Sequence, residues 1–138
     1  MKIKQNISIT GMLFLSIFLL AACAPELPPE DAVENRAQQR WDALIAFNPN
    51  EAWEFYTPGF RSSHPQRSFA QDMSRRPIRW LEAEVTEVLC EEEDLCTAWV
   101  EVKYDAPGAP PTMRGVELRR AVEETWLRID GQWWYAEN

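Results

Sequence analysis

Histidine is almost missing from this sequence: His64 stands alone among 138 residues. With three cysteines beside it, the chain is poorly supplied for a zinc centre, which draws four ligands from Cys, His and carboxylates. Cationic side chains are also scarce, 14 Lys and Arg against 22 Asp and Glu, for a net charge of −8. That shortage argues against nucleic acid as a partner and against attraction to anionic lipid headgroups, because both need a basic patch. Arg75, Arg76 and Arg79 form the one basic cluster, and they read as a solvated helix end. Long apolar runs are limited to Ile7 through Ala22, 16 residues where a spanning helix takes roughly 20.

What is present begins with that run. Lys2 and Lys4 precede it without an acid, and it stops at Leu20-Ala21-Ala22-Cys23. A charged n-region, a short apolar h-region and small residues before a cut site have the order of a secretory leader. The tetrapeptide resembles the lipobox of bacterial lipoproteins, in which the cysteine becomes the lipidated first residue of the mature chain. The resemblance implies removal of residues 1–22, lipidation of Cys23 with palmitate-type chains, and a permanent membrane anchor, since each buried CH₂ contributes about 0.8 kcal/mol. Ala24, where a retention signal would place Asp, implies the outer membrane, facing the periplasm. Residues 23–29, with Pro25, Pro28 and Pro29, read as a lipidated tether, semi-stiff and extended. Without Lys2 and Lys4 the mature chain keeps 12 basic residues against 22 acidic ones, a net charge of −10.

About 115 residues follow the leader, the size of one domain with one core. Seven Trp, six Phe and three Tyr supply ample area for it. Val33, Ala37, Trp41, Leu44 and Ile45 recur at helical spacing, predicting an amphipathic helix over 30–46 with Asp31 and Glu34 as a capping box. Asn48-Pro49-Asn50-Glu51 predicts the cap and first turn of a second helix reaching Tyr56, ended by Pro58 and Gly59. Residues 60–66 are expected to be irregular, and Ser68 to Gln71 to open a two-turn helix closed by Pro77.

Beyond Pro77 the period becomes two. Leu81, Ala83, Val85 and Leu89 alternate with acids, then Ala98, Val100, Val102 and Tyr104 with polar residues, which predicts a hairpin. Cys90 and Cys96 flank Glu91 to Leu95 at its neck and are expected to form a disulfide. Strict pairing from that bridge sets Val85 against Glu101, so a β-bulge beside the disulfide is predicted, moving Val85 opposite Val102; cover on both sheet faces is the alternative. A long strand over 113–129, a turn at Asp130-Gly131 and a last strand over 132–136 complete the chain.

Helices followed by a meander of long antiparallel strands, with Arg40-Trp41-Asp42-Ala43-Leu44, Ala52-Trp53-Glu54-Phe55-Tyr56, Glu124-Thr125-Trp126 and Gly131-Gln132-Trp133-Trp134-Tyr135, resemble the nuclear transport factor two-like cone of ketosteroid isomerase and polyketide cyclases. The resemblance covers 30–138. It implies an α+β class, three N-terminal helices packed on a bent antiparallel sheet, and a pocket inside the cone. Family members include enzymes, ligand carriers and scaffold domains, and no catalytic motif transfers residue by residue.

Candidate chemistry follows from strand phase. Arg120 and Glu124 share a phase with Val122 and Trp126, which makes them candidates for the inside of the cone, where a buried charged pair orients a polar ligand or tunes proton affinity; a bulge near Arg119 and Arg120 that changes the phase, or a surface ion pair, is the alternative. Glu87 lies on the apolar phase of its strand and is a candidate base. Trp53 and Tyr56 are candidate pocket walls, Trp99 a candidate contact surface on the opposite sheet face, and His64 a loop residue free for proton transfer. The acids 91–94 lack the spacing of a calcium loop. No metal and no cofactor are expected. The reading is a noncatalytic, lipid-anchored binding or assembly module of the cell envelope, taking a small apolar ligand or an envelope protein. The alternatives are a small cone-pocket enzyme of isomerase, dehydratase or hydrolase type, and a homodimeric structural lipoprotein.

Overall fold

A computed structural model describes residues 26–113 and 115–137; the leader and Cys23 lie outside the described residues. Helix α1 spans Pro29–Ile45 and buries Val33, Ala37, Arg40, Trp41 and Leu44 along one stripe. Pro28 caps it with its backbone, so the expected Asp31 box is not used; Asp31 and Glu30 sit instead in the first turn, where the helix dipole favours acids. Helix α2, Pro49–Trp53, starts as its sequence dictates: the Glu51 N–H donates to Asn48 Oδ1 at 3.3 Å. It closes earlier than expected, at Trp53.

Pro58 and Gly59, read as a stop, instead begin a helix. Thr57 accepts from the Phe60 N–H at 3.3 Å, and Pro58 occupies N1, giving α3 over Pro58–Ser63 where irregular chain was expected. Pro65 likewise caps α4, Gln66–Ser74, so Ser68 lies inside the helix and is not its cap. Pro58 sits in the first turn and Pro65 just ahead of it, positions where a missing N–H has no intrahelical partner to lose.

Four strands make one antiparallel sheet in the order β1-β2-β3-β4: Arg79–Glu92, Leu95–Asp105, Leu118–Ile129 and Gln132–Ala136. A 3₁₀ turn at Pro111–Met113 precedes β3, which begins at Leu118 and not at the expected 113. Cys90 and Cys96 pair across the β1–β2 neck and are disulfide-bonded. The register does shift, and the residues skipped inside β1 are Thr86, between Val85 and Glu87, and Leu81, between Trp80 and Glu82. Val85 therefore meets Val100, not Val102, and Ala83 meets Val102. A third shift lies beside the bridge, between Cys90 and Glu92. Each extra β1 residue increases local twist and bends the strand around the helices.

The helices cover one sheet face. Val33, Ala37, Phe55, Cys96, Ala98, Trp126 and Trp133 form one buried cluster. Trp41, Ala43, Leu44, Ala52, Val100 and Val102 form the second. Full burial of Val33, Val100 and Val102 contributes about 1.5–3 kcal/mol each. Between the two clusters the interior is charged.

Candidate functional site

The inward phase of β3 runs Arg120, Val122, Glu124, Trp126, and it delivers Glu124 to the middle of the sheet opposite Ala98. Only a small partner leaves room for a carboxylate and what it binds. Glu124 is 1% exposed, and α1 supplies its counter-charge: Arg40, 5% exposed, lies one turn from Ala37 on the buried stripe. The Arg40 Nη1 donates to Glu124 Oε1 at 2.7 Å, and the Trp41 indole donates to the same oxygen at 2.8 Å. Trp126 Nε1 donates to Oε2 at 3.1 Å. Three donors on one carboxylate occupy most of its accepting capacity.

Arg40 is held from its other side by aromatic groups. Its Nη2 donates to the Tyr56 hydroxyl at 3.1 Å, and its guanidinium lies 3.8 Å from the Tyr135 ring centroid. Such a cation over a ring face is attracted by the ring quadrupole. Tyr56 reaches this position because a parallel bridge joins it to Tyr135 on β4, with the Tyr135 N–H donating to the Phe55 carbonyl at 2.8 Å. Burial pushes the Tyr135 phenol up to about 12, which outweighs the opposing pull of Arg40. Arg40 Nε is buried with no hydrogen-bond partner among the described residues.

These groups floor a cavity of about 200 Å³. Trp41, Leu44, Met73, Ile78, Trp80 and Val122 form its walls, and Arg76, Arg120 and Glu137 its exposed rim. A neighbouring hollow of about 190 Å³ shares Leu44, Met73, Arg76, Ile78 and Trp80 and adds Phe47 and Pro49. Both open at the end of the molecule where α1 finishes and β1 begins.

Of the residues expected in the pocket, Tyr56, Glu124 and Arg120 are there, two on the floor and one at the rim. Trp53 is not: its indole donates to the His64 carbonyl at 2.8 Å on the outer side of the helices. Glu87 is not either, because the Thr86 bulge turns it to the exposed face, paired with Trp99. Trp99 is half-buried on that face, away from its buried neighbours Ala98 and Val100. His64 caps α3 and stacks on Phe60 with ring centroids 4.1 Å apart, outside the cavity. Arg40 was the residue missed, although a signal existed: it falls seven residues after Val33 and three after Ala37, on the apolar stripe of its helix.

No protein-family model matches the chain, and no curated protein matches it in sequence. Solved structures match its shape. A SEC-C motif protein of Rhodopseudomonas palustris is 17% identical with a TM-score of 0.59, covering 77% of this chain and 76% of that one. A ketosteroid isomerase-like protein of Erwinia carotovora is 16% identical with a TM-score of 0.53, covering 77% and 92%. A protein of Campylobacter jejuni described as an NTF2-like transpeptidase is 9% identical with a TM-score of 0.52, covering 77% and 98%. At these identities the likeness is one of fold: an α+β cone of the nuclear transport factor two-like type, helices on a bent antiparallel sheet.

Proposed function

We propose, from the cone fold as premise, that this chain is a lipid-anchored, noncatalytic binding module of the bacterial envelope, whose cone takes a small ligand. The observation that carries the reading is the state of Glu124. A general base needs an accepting lone pair turned to the substrate. Glu124 is the carboxylate on the cavity floor, and Arg40, Trp41 and Trp126 already donate to it. Glu87, the other base considered for the enzyme reading, lies on the outer face. What remains is a preformed, part-aromatic hollow with a fixed polar floor, the composition of a ligand site.

The anchor belongs to the same proposal and is supported by the sequence of residues 1–23. Lipidation at Cys23 leaves two residues before Glu26, whose carboxylate pairs with Arg128 near the β3–β4 turn. That end of the domain then stands next to the membrane. The cavity mouth, at the other end of β3, opens away from it.

Native mass spectrometry of residues 24–138, secreted behind a conventional signal peptide, tests the binding reading. A retained small molecule, lost on denaturation, is the expected result. A ligand-free species that fails to bind any small aromatic or aliphatic compound in a screen overturns it.

A further inference from the structure

The rim of the cavity is built for charge as well as shape. Arg76 and Arg120 are exposed side chains on separate elements, one after α4 and one on β3, yet they line one cavity. Among the described residues neither forms an ion pair: the cations that do are Arg40, Arg61, Arg79, Lys103 and Arg128. Two exposed cations from separate elements, neither of them ion-paired, therefore meet at one opening. Arg40 and Glu124 neutralise each other on the floor, so the rim sets two guanidinium groups against one carboxylate, Glu137.

The apolar part of the opening is equally specific. Phe47 is 70% exposed and holds a positive φ of 55°, a conformation a bulky side chain rarely adopts. It stands at the end of α1 beside Leu44, Met73, Ile78 and Trp80, and Arg76 lines the hollow it shares with them. An aromatic lip and a guanidinium therefore meet at one entrance.

We infer that the cone selects a small organic anion, an apolar body carrying one carboxylate or phosphate, whose charge is held by Arg76 and Arg120 and whose body lies against Phe47, Met73, Ile78 and Trp80. The inference rests on the binding reading above and narrows its ligand class. A guanidinium gives paired, charge-assisted donors to either anion, and these bonds are about twice as strong as neutral ones. The cavity is below the roughly 300 Å³ at which drug-sized sites begin, which favours a compact ligand.

The test is a charge series on one body: 3-phenylpropionate, 3-phenylpropanol and 3-phenylpropylamine, titrated against residues 24–138 and followed by isothermal titration calorimetry. The acid is expected to bind about tenfold more tightly than the alcohol, and the amine most weakly. Arg76→Gln and Arg120→Gln are each expected to bring acid binding down to about the level of the alcohol while leaving the melting temperature unchanged, since both side chains are exposed. Phenylpropyl phosphate in place of the acid separates a phosphate from a carboxylate preference. Equal binding of acid and alcohol, or a preference that survives both substitutions, overturns the inference and leaves the pocket reading standing. Failure of every compound to bind overturns the inference, and the binding reading is then decided by native mass spectrometry and the wider screen.

Discussion

Glu124 and Arg40 form a pair whose worth depends on both members being present. Taken together they cost desolvation; taken singly, the survivor is a buried, unmatched charge. Glu124→Gln removes the negative charge but keeps the shape, so the chain is expected to lose about 3–5 kcal/mol of stability in urea denaturation. The double change Glu124→Leu, Arg40→Met is expected to cost far less than the sum of the single changes, because it leaves no charge stranded. Tyr135 gives a second prediction at this scale. Its phenol is raised in the folded chain from 10.0 to about 12, so the folded state holds its proton where the unfolded state releases it. Stability from this group is complete below pH 10 and declines as the pH rises toward 12. Thermal melts across that range are expected to show the decline in the parent chain and a shallower one in Tyr135→Phe. Glu124 was legible in the sequence through the two-residue period of β3. Its partner lay 84 residues away on a helix, and no local pattern joins the two.

At the scale of the elements, the hairpin was readable and its offset was not. Alternation marked β1 and β2, and the cysteines fixed one rung, Cys90 with Cys96. Closing that loop of six residues' separation contributes about 2 kcal/mol by restricting the unfolded chain. Cys90→Ser with Cys96→Ser is expected to lower stability by that amount in denaturant melts while β1 and β2 remain paired in circular dichroism. Where the extra residue goes is a matter of packing. Skipping Thr86 turns Val85 and Ala83 inward onto Val100 and Val102, and the cost is Glu87 on the solvent face, where it is solvated. The helices show the same division. Pro58 and Pro65 are equally suited to ending one helix and opening another, and Thr57 with the Tyr56–Tyr135 bridge decides in favour of opening.

Over the whole molecule the charge is polarised along the strands. The β1–β2 tip with Glu91 to Asp94, the β3–β4 turn with Asp130, and the start of α1 with Glu30 and Asp31 gather at one end, as the bond from the Arg128 N–H to the Asp94 carbonyl shows. Arg76 and Arg120 lie at the other, about 30 Å along β3 by strand rise. A net charge describes none of this.

The sequence by itself determined the class of the fold, the meander and its disulfide, the inward phase that carries Glu124 and Arg120, and the leader and lipobox pattern from which an anchor is proposed. These are local matters: period, cap, turn and spacing are set between residues a few positions apart. The tertiary structure alone decided the partner of Glu124, the side of the sheet on which Glu87 lies, the helix opened by Pro58, and the meeting of Arg76 with Arg120 at one rim. Each depends on groups brought together from distant parts of the chain, where burial and charge select among local options that the sequence leaves nearly equal in energy.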